Sequence, residues 1–452
     1  MGITNDTGVS LQAGGQARLA EGHPQILHPA RQPLVDADGL LHGFELIARE
    51  PSRVADTALD DEGERKPHAE ADAAAAQTLA MLGASGVRAA LGAHRGYLNV
   101  SRALLLSDAF ARISPDRFFL ELPPDIEADT ELVARLVSLH AKRHRFVLDH
   151  VTQPTATFAK LLPYAYAIKV EVDRTDPELL AKLSGALKSA GKILIALGVE
   201  SQETFERAKA AHFDLFQGYF FARGHKQATR RASAPRQALL NLLRLLTADP
   251  TVTQLEAELK LNPVLVMHLM RLANSGEASI GRKVETLRDA ITATGTNRIA
   301  RWTQLLLYAD GRKVRLEDDP LVQMAATRAR FMEMSVARLA KADRKVVDGA
   351  FLTGVFSLVD AVFGGSLEET LEALTLSSHI RAAILHRTGT LGTLLDAIEA
   401  FERADWAALD RASATLAPLS ASELAELATA AAAWASSADQ SEEHAGLDHF
   451  ED

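Results

Sequence analysis

Short strand-like runs alternate with helical patterns from about residue 25 to residue 224, and this alternation constrains the fold more than any other feature of the chain. Between the runs, segments such as TELVARLVSLHAKRH repeat apolar residues at helical spacing. Strands that alternate with helices favour parallel pairing through right-handed crossovers. At this length we expect an α/β fold closed as a (β/α)₈ TIM-like barrel. Seven runs are typical of strands: RQPLVD (31–36), GYLNVS (96–101), RFFLEL (117–122), RFVLDH (145–150), AIKVEV (167–172), ILIALGV (193–199) and DLFQGYFF (214–221).

The strand pattern stops after residue 225, and the rest of the chain is predicted to be helical. Asn262 followed by Pro263 is typical of a helix start, with a capping side chain and a proline in the first turn. Serine and glutamate have capping-box spacing at two further places. We therefore predict a flexible leader (1–25), a barrel domain (26–225), a linker (226–236), a separate all-α domain (237–435) and an acidic tail (436–452).

Composition narrows the classes of function. The formal net charge of −10 argues against a nucleic-acid partner, which would favour a basic surface. The chain has no cysteine, so any metal must bind carboxylate, amide or imidazole ligands. No apolar run approaches the roughly 18 residues that a membrane span needs. We expect a cytoplasmic protein that does not bind a membrane, with a charged surface loop at 50–75.

Polar side chains occur near the carboxyl ends of the predicted strands. In a barrel these ends converge on one face, where ligand sites lie. Three or more acids and an amide suit a hard divalent cation, and a lysine there suits a phosphate or a water. The alternative is that each residue is a satisfied polar group at a strand end. The residues are Glu45, Asn99, Glu121, Asp149, Lys169, Glu200 and Gln217.

Several of these stretches resemble a known family. RQPLVDADGLLHGFELIAR, LNVS, FLEL, IKVEVD, GVES and FDLFQGYFFARG resemble EAL domains, the barrel phosphodiesterases of cyclic di-GMP. The helical half resembles HDOD domains, most specifically in LNPVLVMHLMRLANSG. The resemblance covers about residues 27–225 and 237–410, in the order of bacterial EAL-HDOD signalling proteins.

The resemblance implies roles for individual residues. It implies a Mg or Mn site, and it implies that Lys169 acts beside the attacking water with Glu45 as a catalytic metal ligand. Gln32, Arg49 and Gln217 fall at positions implied to contact the nucleotide, Arg49 at a phosphate and Gln217 near a guanine. The implied metal ligands are Glu45, Asn99, Glu121, Asp149 and Glu200.

The departures from the family pattern fall on the residues that perform the chemistry. His150 stands where the family has a second aspartate; it could replace that ligand, but it removes a negative charge and suits Mg poorly. Leu197 stands where the family has a glutamate proposed to assist proton transfer, and leucine cannot accept a proton. Pro124 and Glu171 also differ from the pattern. We expect the catalytic roles of Lys169 and Glu45 to be vestigial, so no cofactor would be required.

HDOD domains resemble HD phosphohydrolases without the metal-binding His-Asp pair. Ser357 and Leu358 occupy the pair's position in AFLTGVFSLVD (350–360), so we do not expect catalysis there. The resemblance implies that this half binds a protein partner, and assembly into a homodimer is an open alternative.

Three functional hypotheses remain. The first is a non-catalytic signalling protein that acts through protein contacts and is gated by cyclic di-GMP. The second is a weakly active, metal-dependent phosphodiesterase of cyclic di-GMP with His150 as a replacement ligand. The third is a scaffold that binds no nucleotide.

Overall fold

A computed structural model describes residues 28–49, 77–84, 86–222, 236–274, 284–309, 318–339, 344–363, 366–372 and 376–436. The predicted leader and the predicted loop at 50–75 lie outside these residues, as do the linker and the acidic tail apart from Arg236 and Ser436. The predicted domain boundaries therefore stay predictions. No helix among the described residues is long and apolar enough to cross a membrane.

The first half folds into a closed barrel, as the sequence predicted. Each strand is hydrogen-bonded to the next one along the chain, and the last pairs with the first. The strands within the described residues are β1 (Ala30–Asp36), β2 (Leu41–Ile47), β3 (Arg95–Asn99), β4 (Phe118–Leu122), β5 (Arg145–Val151), β6 (Ala165–Glu171), β7 (Ile193–Leu197) and β8 (Leu215–Gln217).

Helices surround the barrel between its parallel strands. Side chains of aspartate, serine or threonine cap the first turn of most of them, which satisfies backbone N–H groups that have no partner within the helix. The helices are α1 (77–83), α2 (Val87–Ala90), α3 (Arg102–Leu106), α4 (Thr130–Ala141), α5 (Ala156–Leu161), α6 (Pro177–Ser189) and α7 (Gln202–Ala210).

Strand β1 departs from the prediction. It pairs antiparallel with both β2 and β8, whereas the remaining neighbours are parallel. The expectation of parallel pairing throughout was wrong for β1, and β2 was not among the predicted strands. Only residues 37–40 separate β1 from β2, and Gly39 has a φ of 72° in this turn. A connection that short forms a hairpin because a parallel crossover needs a dozen or more residues.

The barrel has two apolar layers. Its interior is filled by side chains such as Tyr97, Phe119 and Val147, which are almost fully buried. A second, larger layer lies between the outer face of the strands and the surrounding helices. Because side chains alternate along each strand, the positions between the apolar ones point to the opposite face.

The second half is helical, as predicted, and has its own core. Helix α10 begins at Pro263, and Asn262 Oδ1 accepts a hydrogen bond from the Leu265 backbone N–H at 3.3 Å. The helices are α8 (Arg236–Thr247), α9 (Val252–Lys260), α10 (Pro263–Asn274), α11 (Leu287–Thr294), α12 (Thr296–Ala309), α13 (Pro320–Leu339), α14 (Arg344–Phe356), α15 (Val359–Phe363), α16 (Leu367–Glu372), α17 (Ser378–His386), α18 (Gly389–Glu402), α19 (Trp406–Thr415) and α20 (Ala421–Ser436).

The helical half packs directly against the barrel. Helix α18 contacts β1, and α20 contacts α2. The partly buried guanidinium of Arg31 lies 4.1 Å from the ring centroid of Phe44 and donates to the backbone oxygen of Ala90. It also reaches Thr327 Oγ1 in α13 and Ser436 Oγ in α20, both at 3.4 Å. Burial lowers the pKa of Arg31 to about 10, while the nearby Glu402 opposes this shift.

We predict that Gly218→Ala destabilises the barrel by about 1–3 kcal/mol, since the added Cβ would lie 2.0 Å from the Val199 carbonyl oxygen. Gly218 also has a φ of 152°, which side chains rarely adopt. The control is Gly185→Ala in α6, where the Cβ meets nothing within 4 Å and we expect a gain of about 0.5–1 kcal/mol. Urea unfolding measures both changes. Equal stabilities for the two variants would show that the loop after β8 has another conformation.

Candidate ligand site at the carboxyl end of the barrel

The structure brings most of the predicted site residues together inside the carboxyl end of the barrel. Glu45 is in β2, Glu121 in β4 and Lys169 in β6, and all three are buried. Asn99 and Gln217 are the last residues of β3 and β8. Strand alternation puts these side chains on the inner face, where Glu45 contacts Asn99, Lys169 and Gln217.

Lys169 occupies the centre of this group. Its Nζ lies 2.6 Å from Glu45 Oε2 and 2.5 Å from Glu121 Oε1, with no exposed side-chain surface. Burial alone would lower the pKa of this amine, but the charges of Glu121, Glu45 and Asp149 outweigh it and raise the pKa. Lys169 is therefore a charged ammonium held by carboxylates.

Glu45 is the residue that links the cluster. Besides Lys169, its Oε2 accepts a hydrogen bond from Gln217 Nε2 at 2.6 Å, and its Oε1 accepts one from Asn99 Nδ2 at 3.1 Å. Gln217 Nε2 also donates to Gln32 Oε1 at 3.1 Å, across the β1–β8 pairing. Both carboxylate oxygens of Glu45 are thus occupied by donors of the protein itself.

Glu121 is less well satisfied. Lys169 approaches Oε1 without hydrogen-bond geometry, and Oε2 is buried with no hydrogen-bond partner. Burial and the charge of Glu45 raise the pKa of Glu121 well above its usual range. Of the carboxyl groups in the cluster, Glu121 is therefore the one most readily protonated.

Asp149 and His150 form a separate pair at the end of β5. His150 has a φ of 48°, uncommon for a residue other than glycine, and its Nδ1 lies 2.8 Å from Asp149 Oδ2. The His150 backbone N–H donates to Asp149 Oδ1 at 2.9 Å. This pairing raises the pKa of His150; burial opposes ionisation of Asp149, but the contacts with His150 and Lys169 outweigh it and lower the pKa of Asp149. Each partner therefore favours the charged form of the other.

The donor set has the chemistry of a Mg or Mn site, but its arrangement does not form one. Lys169 and His150 supply positive charge where a cation would have to bind, and the oxygens of Glu45 and Asp149 already have partners. The free Glu121 Oε2 is the exception. Within the described residues, no three or more histidine, aspartate or glutamate side chains are grouped so as to hold a metal ion.

A cavity of about 480 Å³ opens beside this cluster. Its volume is within the usual range for small-molecule sites, roughly 300–1,000 Å³. Glu200, a predicted metal ligand, lines this cavity, and Leu197 lines it as well with 8% of its surface exposed. Other lining residues are Gln32, Glu45, Ile47, His150, Gln217 and Tyr219.

Arg49 lies just beyond the cavity, and its partner comes from the helical half. Its two terminal nitrogens contact Asp410 Oδ1 and Oδ2 in α19 at 3.0 and 2.5 Å. The resemblance implied that Arg49 contacts a phosphate, whereas here a carboxylate occupies the guanidinium. No pattern in the sequence indicated this pairing, because the residues are 361 positions apart.

Tyr219 was not predicted as a site residue. It lines the cavity just after β8, and its hydroxyl donates to the Glu402 backbone oxygen at 2.5 Å. Burial and the neighbouring Glu402 raise the pKa of Tyr219, so it remains a neutral donor. Its place in FQGYFF, two residues after Gln217, was the only available signal.

Comparison with known proteins agrees with this architecture. A family model described as EAL domain matches residues 93–224, and one described as HDOD domain matches residues 235–363. The chain is an EAL-HDOD protein. Both domains follow in the order that the sequence predicted.

Two curated relatives span most of this EAL-HDOD chain. It is 25% identical over 393 residues to the cyclic di-GMP phosphodiesterase CdgJ of Vibrio cholerae, which covers 84% of this chain and 86% of that protein. It is 24% identical over 383 residues to the uncharacterized protein YuxH of Bacillus subtilis, which covers 83% of this chain and 91% of that one.

Two solved structures each match less than half of this chain. Klebsiella pneumoniae BlrP1, in a calcium and cyclic di-GMP complex, has 19% identity, a TM-score of 0.34, and coverage of 43% of this chain and 55% of its own. Bacillus subtilis YkuI, an EAL protein in complex with cyclic di-GMP and calcium, has 18% identity, a TM-score of 0.32, and coverage of 42% and 53%. This chain spans about half of each.

We predict that Lys169→Met lowers the free energy of unfolding by about 3–5 kcal/mol, because it leaves buried carboxylates without their cation. Lys182→Met is the control: Lys182 is exposed and lies 3.9 Å from the exposed Glu178, so we expect a change below about 1 kcal/mol. Urea unfolding at neutral pH compares both with the wild type. A Lys169→Met protein as stable as the wild type would mean that the cluster is not held by this ammonium.

Proposed function

We propose that this EAL-HDOD protein is a signalling protein that binds cyclic di-GMP in the barrel cavity and does not hydrolyse it efficiently. The observation that carries the proposal is the ion cluster, in which Lys169 lies between Glu45 and Glu121 while His150 pairs with Asp149. Three of the acids that the resemblance assigns to metals, Glu45, Glu121 and Asp149, lie against cationic side chains of the protein itself. On this proposal no metal cofactor is required.

The nature of Leu197 supports the loss of hydrolysis. It lines the cavity at the position where the resemblance implies a glutamate that assists proton transfer. Removing a residue that transfers a proton typically costs about 10²–10⁴ in rate. The replacement of a second acid by His150 adds to that loss.

Polar groups that remain in the cavity support binding. Gln217 Oε1 is buried without a hydrogen-bond partner, so it offers an acceptor to a donor such as a guanine amine. Gln32 holds the amide of Gln217 from the neighbouring strand. Arg49 lies two residues beyond the end of β2, and its guanidinium would be free to bind a phosphate once Asp410 releases it.

A second candidate function is slow phosphodiesterase activity. CdgJ, a cyclic di-GMP phosphodiesterase by name, matches this chain over most of both sequences. Glu45, Asn99, Glu121, Asp149 and Glu200 keep oxygen donors at the positions implied for metal ligands. In this alternative Mg or Mn would displace Lys169 from the carboxylates, and His150 would be a replacement ligand. A scaffold that binds no nucleotide is the third alternative.

The helical domain is proposed to carry the output to a protein partner. Ser357 lies between α14 and α15, at the position implied for the missing His-Asp pair, and its Oγ lies 3.2 Å from Arg328 Nη1. Arg328 also contacts Glu399 and Glu402 at 2.7–2.9 Å, so the carboxylates there already have a cationic partner. We propose protein contact rather than catalysis as this domain's role, with homodimerisation as an option.

Titration calorimetry with cyclic di-GMP, with and without Mn, followed by chromatography of the nucleotide, tests these candidates. We expect binding in both conditions, no linear product, and affinity that falls at least about tenfold in Gln217→Ala, since one good polar contact is worth about 1.4 kcal/mol or more. Linear product that disappears in Glu45→Ala would reject the proposal in favour of the phosphodiesterase. The absence of heat in all conditions would favour the scaffold.

Restoring the family's acids should restore hydrolysis. We expect the double variant Leu197→Glu, His150→Asp to hydrolyse cyclic di-GMP at least about 10²-fold faster than the wild type when Mg or Mn is added, because it regains a proton acceptor and a carboxylate. The control is the double variant Leu197→Gln, His150→Asn, which introduces side chains of similar shape to glutamate and aspartate but without their negative charges. If the wild type hydrolyses cyclic di-GMP as fast as an active double variant, the proposed loss of hydrolysis in the wild type is contradicted.

A further inference from the structure

The contact between Arg49 and Asp410 joins the segment just after β2 to the helical domain. Each terminal nitrogen of the Arg49 guanidinium donates to a different carboxylate oxygen of Asp410. This bidentate geometry makes arginine a strong ligand for anions. The side chain of Arg49 is 16% exposed and that of Asp410 is 38% exposed. The pair is therefore accessible to solvent and can be exchanged for another anion.

Arg49 is aligned with residues that line the cavity. Glu45 and Ile47 lie on its wall, β2 ends at Ile47, and Arg49 follows two residues later. The other charged groups that line the cavity are mostly acids, with Arg174 and His150 as the cations. Arg49 therefore offers a guanidinium to an anionic group beside the cavity, and Asp410 already occupies that guanidinium.

A second contact joins the cavity wall just after β8 to the helical half. Tyr219 donates to the backbone oxygen of Glu402 at the end of α18, and the Glu402 carboxylate is held by Arg328 at 2.7 Å. Arg328 is buried, so this contact fixes the helical domain firmly beside the cavity. The exposed Arg49–Asp410 pair is the weaker of the two contacts, because solvent screens it.

We propose that Asp410 is an internal competitor for the anionic ligand of the barrel, so that occupation of the cavity releases α19 from Arg49. This inference rests on the proposed function, in which the ligand is the dianion cyclic di-GMP. One guanidinium cannot make its bidentate contact with a phosphate and with Asp410 at the same time. Ligand binding and docking of α19 are therefore coupled, and each weakens the other by the same factor.

Calorimetry on the full chain with cyclic di-GMP tests this competition in Asp410→Asn. We expect about two- to fivefold tighter binding than in the wild type, the range that an exposed ion pair supports. Glu368→Gln is the charge-matched control: Glu368 is exposed on α16, and its removal should leave the affinity unchanged. Arg49→Ala should bind more weakly than the wild type.

The double variant Arg49→Ala, Asp410→Asn separates competition from a general effect of charge. If Asp410 acts by holding Arg49, its substitution gains nothing once Arg49 is absent. A gain that persists in the double variant, or no gain in Asp410→Asn while the wild type binds, overturns the inference and leaves the proposed function standing. If Asp410→Asn binds cyclic di-GMP and the wild type does not, the competition is supported. If no variant binds, the competition and the proposed function are both rejected.

Hydrogen exchange gives an independent test that needs only the wild type. Saturating cyclic di-GMP should raise the exchange rate of amides in α19 (Trp406–Thr415) at least about twofold, while α17 (Ser378–His386) serves as the internal control. Protection of α19 by the ligand would mean that the helix closes on the nucleotide rather than leaving it, and would overturn the inference.

Discussion

The organisation of the barrel's carboxyl end depends on one buried ammonium. Lys169 has no exposed surface, and an ion in that environment is tolerated only when charges of opposite sign lie within hydrogen-bond distance. Those charges come from β2 and β4, so three strands are tied together at one atom. Gln217 then joins β8 through Glu45. The polar side chains of the cluster are oriented toward each other, and this orientation determines what the adjacent cavity presents to a ligand.

Much of this arrangement could be predicted because strand alternation acts locally. Polar residues at inward-facing positions near the ends of several strands share the interior, and Glu45, Glu121 and Lys169 of β2, β4 and β6 do so. The antiparallel β1–β2 hairpin was missed although Asp38 and Gly39 form a recognisable turn signal, because the helix-strand alternation was applied to the first strand as well. The φ of 48° at His150, which turns its ring onto Asp149, has no counterpart in the sequence pattern.

Contacts between the two halves could not be predicted. The pairing of Arg49 with Asp410 and that of Tyr219 with Glu402 depend on how two separately folded cores are oriented, and no periodicity in either half encodes that orientation. Arg31 shows how extensive the contact is, since its partly buried guanidinium reaches α13 and α20 from β1. The helical domain thus forms part of the wall that surrounds the barrel.

Both domains hold a cation of the protein itself: in the barrel it lies among the implied metal ligands, and in the helical domain it lies at the position of the His-Asp pair that HDOD domains lack. In the barrel Lys169 is bound by Glu45 and Glu121, and in the helical domain Arg328 is bound by Glu399 and Glu402 beside Ser357. A side-chain cation is covalently part of the chain and cannot leave the protein as a metal ion can, so each cluster keeps a positive charge of its own. The Arg49–Asp410 pair differs because it is partly exposed and its anion belongs to another domain. Replacement of Asp410 by another anion at Arg49 would therefore change the contact between the domains, while the two buried clusters keep their own partners.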